Sequence, residues 1–175
     1  MSDMKKVSAS EAENNFVIGQ ANCFPEKYAT MLLKIKKMSK EEKLKISGQK
    51  EFEKTWNELF EDKETEWYKA DLPPNTKFVN RVFDSGKGFM RSIGLKHSDL
   101  LKEYENRTKN EFRKRINEIR ANLAERPRVI VLTKDFKEFS IFDGARRALA
   151  FILENKKIPC YIGKRKSFST LKYLN

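Results

Sequence analysis

The chain has 175 residues, enough for one domain of ordinary size or for a compact domain with an extension, but too few for two full cores. Hydrophobic residues make up 39% of it and charged residues 35%. This balance is too apolar for a disordered chain and too charged for a membrane span. Because the sequence has no run of 18 apolar residues and no apolar signal segment, we expect an intracellular, cytoplasmic protein without a membrane partner.

Cysteine and histidine are scarce: the chain has Cys23, Cys160 and a single histidine, His97. These are too few for a Cys/His zinc site or for a disulfide framework. Nucleophilic catalysis through a Cys–His or Ser–His pair would have to use His97, which precedes a predicted helix start and which we interpret as a surface or boundary residue.

The net charge of +12 is unevenly distributed. Residues 112–175 carry 16 basic and 6 acidic side chains, whereas residues 51–71 carry 8 acidic and 3 basic side chains. A positive field of this kind is typical of proteins that bind a polyanion or a phosphorylated ligand. The alternative is a lysine-rich surface that only maintains solubility.

The N-terminal part of the sequence predicts helices. Residues 1–24 show no sustained period, so we expect them to be irregular or partly disordered. Apolar side chains at helical spacing predict a helix at 25–38, and Ser39 with Glu42 has the spacing of a capping box for a short helix. Aromatic side chains at helical spacing within 52–60 predict a further helix whose rings pack in a core.

The clearest break in the chain is the pair Pro73-Pro74, because proline ends a helix and favours extended geometry in the residue before it. We therefore divide the chain into a helical N-terminal extension at 1–70 and an α/β domain at 71–175. Just after the break, residues 77–83 alternate in polarity like a half-buried strand.

The last half of the sequence alternates between helical and extended patterns. Residues 97–111 predict an exposed helix, and apolar residues spaced by three and four between 112 and 123 predict an amphipathic one. The continuous apolar run at 128–133 predicts a strand buried on both faces. A turn-length connector joins it to a second predicted strand at 139–142.

That second strand leads into a tight turn at Asp143-Gly144, followed by a predicted helix to about Asn155 and a closing strand at 158–163. A crossover helix of this kind predicts that the closing strand is parallel to the strand before the helix.

The helix after this turn begins with two cations, Arg146 and Arg147, at the pole where the macrodipole is already positive. Each such cation costs about 0.3–1 kcal/mol when exposed, so the pair indicates a bound anion. Backbone N–H groups and guanidinium groups suit a phosphate, and Gly144 permits close approach. Asp143 would cap the helix, orient an arginine, or hold a metal ion on that phosphate. Alternatively, the arginines pair with Asp143 and the acidic stretch at 51–71.

These residues resemble the signature of the ParB N-terminal and sulfiredoxin superfamily. In that superfamily a strand is followed by G-x-[RH]-R, then a helix that begins with small residues, then a strand introduced by Ile-Pro. The resemblance covers the run from Phe112 to Gly163. The matching positions are Gly144, Arg146, Arg147, Ala150 and Ile158-Pro159.

The resemblance implies an α+β fold with a small mixed sheet and packed helices, to which the N-terminal helical extension is added. It implies that ATP or CTP is bound at the turn between Gly144 and Arg147. On a hypothesis of nucleotide-dependent chemistry, Asp143 would hold Mg²⁺ or act as a base. Superfamily members include DNA-partitioning clamps, sulfiredoxin, small-molecule kinases and nucleases. The sulfiredoxin cysteine would align with Ala145, and Cys160 is on another strand, so we do not expect that reductase activity. The residues implied to bind the nucleotide are Gly144, Ala145, Arg146 and Arg147.

The first functional hypothesis is a nucleotide-dependent enzyme or switch that transfers a phosphoryl group or hydrolyses an NTP. Its catalytic carboxylates would be Asp143 and Glu118, the latter on the preceding helix. The alternative interpretation of Glu118 is a solvated helix residue.

The second hypothesis is a DNA- or RNA-binding protein or a nuclease. In it, Lys164, Arg165 and Lys166 contact the phosphate backbone, and Phe168 or Tyr173 stacks on a base. A third hypothesis is an interaction protein that keeps the fold and carries out no chemistry.

Overall fold

A five-stranded mixed sheet organises the part of the chain that the computed structural model describes, residues 4–21, 28–47, 53–76, 78 and 110–168. The spatial order of the strands is β1-β2-β5-β3-β4, and only the β3–β5 pair is parallel. The mixed sheet with its helices confirms the α+β class. The strands are β1 (Lys5–Val7), β2 (Glu66–Leu72), β3 (Val129–Thr133), β4 (Ser140–Asp143) and β5 (Ile158–Lys164).

Six α-helices accompany the sheet within the described residues. A π-helical turn (Asn57–Glu61) continues the fourth, and a 3₁₀ turn (Leu123–Glu125) follows the fifth. No helix in the described ranges is both long and apolar enough to cross a membrane. The helices are α1 (Ala9–Gln20), α2 (Tyr28–Ile35), α3 (Lys40–Ile46), α4 (Glu53–Trp56), α5 (Asn110–Ala121) and α6 (Ala145–Leu153).

The helices lie on both faces of the sheet, which gives two hydrophobic cores. Side chains of α5 and α6 pack with one face, around Val131 and Ile162. Side chains of α1, α2 and α4 pack with the other face, around Ile130 and Leu132. Both cores therefore depend on β3, whose five residues are all buried, as its continuous apolar run predicts.

Several helix predictions are confirmed. The helix predicted at 25–38 is α2, and Ser39 and Glu42 form both bonds of the capping box at the start of α3. The aromatic stripe at 52–60 corresponds to α4 and the π-helical turn, where Trp56 is fully buried. The amphipathic helix predicted after residue 112 is α5.

Other predictions lie largely outside the described residues. Of the strand predicted at 77–83, the structure describes Phe78, which forms a bridge with Phe139. Of the helix predicted at 97–111, it describes only the end, where α5 begins. His97 lies outside the described residues.

The strand β5 is parallel to β3 and therefore runs opposite to β4, since β3 and β4 are antiparallel. The prediction that the closing strand is parallel to the strand before its helix is wrong. The physical reason is burial. Because β3 is buried throughout, it lies between two partners, whereas β4 ends with the half-buried pair Phe142 and Asp143 and lies at the edge.

The prediction of an irregular segment at 1–24 is also wrong, because that segment contains β1 and α1. Ser8 caps α1 by accepting a hydrogen bond from the Glu11 N–H. The helix has no sustained apolar period because two of its buried residues, Asn14 and Asn15, are polar. Its burial depends on partners far away in the chain.

The strand β2 is not predicted by any pattern in the sequence, although Trp67, Ala70 and Leu72 are buried within it. The strand pairs antiparallel with both β1 and β5. The predicted boundary between 1–70 and 71–175 falls inside this strand, so the sheet contains residues from both sides of that boundary.

Asn15 joins α1 to the start of β3. Its Oδ1 accepts a hydrogen bond from the Arg128 N–H at 2.8 Å, and its Nδ2 donates to the Arg128 carbonyl oxygen at 2.9 Å. The side chain amide thus satisfies both backbone groups of the residue before Val129, as a neighbouring strand would. Asn15 is 2% exposed, so water does not replace these bonds.

We expect Asn15→Ala to lower the free energy of unfolding by about 1–3 kcal/mol, because the Arg128 N–H loses its partner. Urea unfolding followed by circular dichroism measures this change. Asn117→Ala on the exposed side of α5 is the matched control and should change stability by no more than about 0.5 kcal/mol. Equal losses in the two variants would contradict the role assigned to Asn15.

Candidate functional site

The turn between β4 and α6 depends on glycine. Gly144 is the N-cap residue of α6 and has φ 87°, in the left-handed region that glycine adopts without strain. A Cβ atom at this position would lie 2.8 Å from Nε and Nη2 of Arg147. Gly144 is therefore needed both for the backbone conformation and for the space that the guanidinium group occupies.

The two neighbouring arginines of this turn lie in different environments. Arg146 is exposed, whereas Arg147 is 7% exposed. Nη1 of Arg147 donates to the carbonyl oxygens of Pro127 at 2.8 Å and Arg128 at 3.4 Å, and Nη2 donates to Oδ2 of Asp143. The guanidinium group of Arg147 is thus bound by the protein's own carboxylate and carbonyl groups.

The helix α1 covers this ion pair. Oδ1 of Asp143 accepts a hydrogen bond from Nε2 of Gln20 at 3.0 Å. A Cβ atom at Gly19 would lie 2.9 Å from Nη2 of Arg147 and 3.0 Å from Oδ2 of Asp143. Both oxygens of Asp143 therefore accept bonds from side chains, and Gly19 allows α1 to approach them closely.

This arrangement corrects the expectation that Arg147 binds a phosphate. Of the two interpretations of the arginine pair, the structure matches internal pairing at Arg147, whose ion pair with Asp143 is mostly buried. The other residues predicted to bind the nucleotide lie at the first turn of α6, which has no side-chain cap: Gly144, Ala145 and Arg146. Backbone N–H groups of that turn and the exposed Arg146 are what an anion would meet there.

The two predicted catalytic carboxylates are not joined by any hydrogen bond or ion pair within the described ranges. Glu118 is an exposed residue of α5. Its backbone carbonyl oxygen, not its carboxylate, accepts a hydrogen bond from Nη2 of Arg126 at 3.3 Å. No group of three or more His, Cys, Asp or Glu side chains among the described residues has an arrangement that could hold a metal ion. The prediction of Mg²⁺ at Asp143 therefore has no support from the geometry.

The basic segment at 164–166 is divided between internal and surface roles. Nζ of Lys164 lies 5.2 Å from the ring centroid of Phe136, and Lys166 is exposed. Arg165 is 13% exposed, and its guanidinium group pairs with Asp62 at 2.8 Å and Glu64 at 3.1 Å. The expectation that Arg165 contacts nucleic acid is corrected, because its charge is neutralised within the fold.

Phe168 is fully buried in the core on the α1 side of the sheet. The expectation that it stacks on a base is therefore wrong. Tyr173, the other predicted stacking residue, lies outside the described residues.

The acidic stretch at 51–71 serves the fold. Every carboxylate of this stretch that the structure describes pairs with a cation of the same chain. Lys40 pairs with two of them, Arg165 with three, and Lys6 and Arg128 with one each. The seven carboxylates are those of Glu53, Glu58, Glu61, Asp62, Glu64, Glu66 and Asp71.

Cys160 is not available for chemistry at the surface. The residue is fully buried in β5, and its thiol lies 3.1 Å from the carbonyl oxygen of Ile158. Burial raises the pKa of the Cys160 thiol far above its usual range. A thiol in this state is a poor nucleophile, in agreement with the expectation that Cys160 does not replace the sulfiredoxin cysteine.

Sequence analysis missed the polar side of α1 that faces the strands. Glu11, Asn15 and Gly19 are spaced by four, so they lie on one side of the helix. The carboxylate of Glu11 accepts a hydrogen bond from the Tyr161 hydroxyl at 2.7 Å, Asn15 binds the backbone of Arg128, and Gly19 lies against Arg147. The four-residue spacing of these polar and small residues was the pattern in the sequence that could have predicted this side of the helix.

The chain matches no protein-family model, no curated protein sequence and no solved structure in comparisons with known proteins. The likeness to the ParB and sulfiredoxin superfamily therefore stays a hypothesis that depends on the residues of the turn and of the neighbouring elements.

We expect Arg147→Ala to lower the free energy of unfolding by about 3–5 kcal/mol, because it leaves the mostly buried Asp143 carboxylate without its cation. Arg146→Ala, at the exposed neighbouring position, should change stability by no more than about 0.5 kcal/mol. Urea unfolding of both variants tests the difference. A larger loss for Arg146→Ala would show that the assignment of the inner arginine is wrong.

The Asp62–Arg165 pair predicts a loss of stability in acid. The Glu64 N–H, followed by Arg165, holds the pKa of Asp62 below its usual value. The folded state therefore gains stability from ionised Asp62 at neutral pH and loses it as the pH falls below about 4, through the lowered pKa. Asp62→Asn should reduce the melting temperature at pH 7 and make its fall towards pH 2.5 shallower.

Thermal melts over this pH range measure the effect, and Glu118→Gln is the control, since Glu118 has no ion pair with a described residue. Parallel acid profiles for wild type and Asp62→Asn would contradict the assigned role of Asp62.

Proposed function

We propose that the protein binds nucleic acid through the positive surface formed by its last third. The observation that carries this proposal is the distribution of ion pairs. The described carboxylates of the acidic stretch at 51–71 each pair with another cation of the chain, and none of these pairs involves an exposed cation of the last third. Within the described residues, the exposed cations of this region without an ion pair are Lys114, Arg115, Lys134, Lys137, Lys156, Lys157 and Lys166.

Such a surface attracts the phosphate backbone without reading the sequence of bases. Each phosphate that a lysine or arginine neutralises releases counterions, so the affinity falls steeply as the salt concentration rises. Compact lysine side chains suit this role because their ammonium groups need no fixed geometry to attract a phosphate. The proposal gives the role to these surface cations and not to Arg147 or Arg165, whose guanidinium groups pair inside the fold.

The resemblance to the ParB and sulfiredoxin superfamily agrees with this proposal, since that superfamily includes DNA-partitioning proteins. The nucleotide hypothesis is less well supported, because Arg147, one of its two phosphate ligands, is bound to Asp143. A thermal-shift series with ATP, CTP and GTP, with and without Mg²⁺, distinguishes the two. A nucleotide site would be favoured if one nucleotide raises the melting temperature in a saturable way and if Arg146→Ala abolishes that rise.

We expect the protein to bind fluorescein-labelled 20-mer DNA and RNA with an affinity that decreases linearly on a plot of log K against log salt. Lys156→Ala/Lys157→Ala should weaken binding and reduce the slope by about 1.4–1.8, the contribution of two phosphate contacts. Fluorescence anisotropy between about 50 and 300 mM salt, roughly a sixfold range of ionic strength, measures both quantities.

Lys36→Ala/Lys37→Ala is the matched control, because it removes two adjacent exposed lysines outside the last third. It should leave the slope nearly unchanged. Absence of binding by the wild-type protein at 50 mM salt, or equal effects of the two double variants, would contradict the proposed function.

A further inference from the structure

The connector between β3 and β4 holds an aromatic residue in an unusual backbone conformation. Phe136 has φ 63°, in the left-handed region that bulky residues rarely adopt. Glycine or asparagine would adopt the same conformation with less strain. An aromatic ring at this position is therefore retained against the local preference of the backbone.

The side chains of Thr133, at the end of β3, and of Asp135, in the connector, fix this conformation. Oγ1 of Thr133 accepts a hydrogen bond from the Phe136 N–H at 2.9 Å and donates one to the Glu138 carbonyl oxygen at 2.7 Å. Oδ1 of Asp135 accepts a bond from the Lys137 N–H at 2.9 Å. These bonds hold the backbone on both sides of Phe136, whose ring packs against the core on one face of the sheet.

The ring of Phe136 packs against the sheet through a second aromatic ring. Tyr68 of β2 lies 5.4 Å away, centroid to centroid, at an interplanar angle of 79°. The Tyr68 hydroxyl donates to Glu66 at 3.0 Å, and Lys6 binds the other oxygen of Glu66 at 2.7 Å. Both rings are only partly buried, so part of this aromatic pair is accessible to solvent.

Three lysines lie near Phe136 in the chain or in space. Lys134 and Lys137 are exposed and lie within two residues of it in the chain, and Nζ of Lys164 lies over its ring, 5.2 Å from the centroid. Three carboxylates are also near in the chain or in strand register: Asp135, Glu138 and Glu66. One of these, Glu66, is already paired with Lys6.

We propose that the Tyr68–Phe136 pair is a stacking position for one base of a single-stranded nucleic acid, with the adjoining phosphates held by Lys134, Lys137 and Lys164. This inference depends on the proposed function, because the surface cations supply most of the attraction. A partly exposed ring held in place stacks on any base, since every base has a π face. A duplex does not offer its bases in this way, so the position favours single strands.

The test compares Phe136→Leu with Phe136→Trp by anisotropy with labelled oligo(dT), oligo(rU) and a duplex. Both substitutions keep a bulky side chain in the same strained conformation, but only tryptophan keeps a flat aromatic face. We expect Phe136→Leu to bind single strands about 10-fold more weakly, as loss of one stacked base predicts, and the duplex almost unchanged. Phe136→Trp should bind single strands at least as well as wild type.

The tryptophan variant supplies a second readout. The native Trp56 and Trp67 are at most 1% exposed, so quenching added by oligo(dT) in Phe136→Trp reports on the new indole. Stacking predicts strong quenching relative to wild type, and an unquenched indole on a protein that binds oligo(dT) would overturn the inference. This measurement keeps the inference testable even if Phe136→Leu fails to fold.

The outcomes separate this inference from the proposed function. If the wild-type protein binds no nucleic acid at 50 mM salt, both the function and the inference are wrong. If it binds with the expected salt slope but folded Phe136→Leu has the wild-type affinity for oligo(dT), only the inference is overturned. A loss of single-strand binding with an unchanged salt slope supports it, because the substitution removes no charge.

Discussion

The ion pair between Asp143 and Arg147 is the constraint on which this end of the fold depends. It joins the end of β4 to the first turn of α6, and further bonds from the same guanidinium group reach the backbone before β3. Because unpaired charges are very costly away from water, α1 can cover this site only when the two charges are paired. The approach of α1 requires glycine at position 19, and the turn before α6 requires glycine at position 144, because a Cβ atom at either position would collide with the guanidinium group.

The same principle distinguishes two kinds of cation in the described part of the last third. Arg147 and Arg165 have little exposure and pair with the protein's own carboxylates, and the partners of Arg165 belong to the acidic stretch at 51–71. Exposed lysines of the last third have no such partners among the described residues. The positive charge of these lysines therefore lies at the surface, which supports the proposal that surface cations, and not the arginine pair, contact phosphates.

Local patterns predicted the elements whose stabilising contacts are close in the chain. The apolar run of β3, the capping box of α3 and the turn before α6 are visible in a few neighbouring residues. The missed elements depend on distant partners. β1 pairs with β2 some 60 residues away, as in the contact of Lys6 with Glu66, and Asn15 of α1 binds Arg128, which is 113 residues away. No window along the sequence contains both members of such pairs.

By itself, the sequence determined that two cations occupy the positive pole of a helix, which predicts a compensating anion. Successive residues of an α-helix differ by about 100°, so the two side chains must point in different directions, a consequence that our prediction of one shared role did not include. Only the tertiary structure decided which arginine faces inward and that its anion is Asp143, under the cover of α1. The reason is that this choice depends on where the sheet and α1 lie relative to α6, and that placement is set by burial of β3 and by pairings between distant segments.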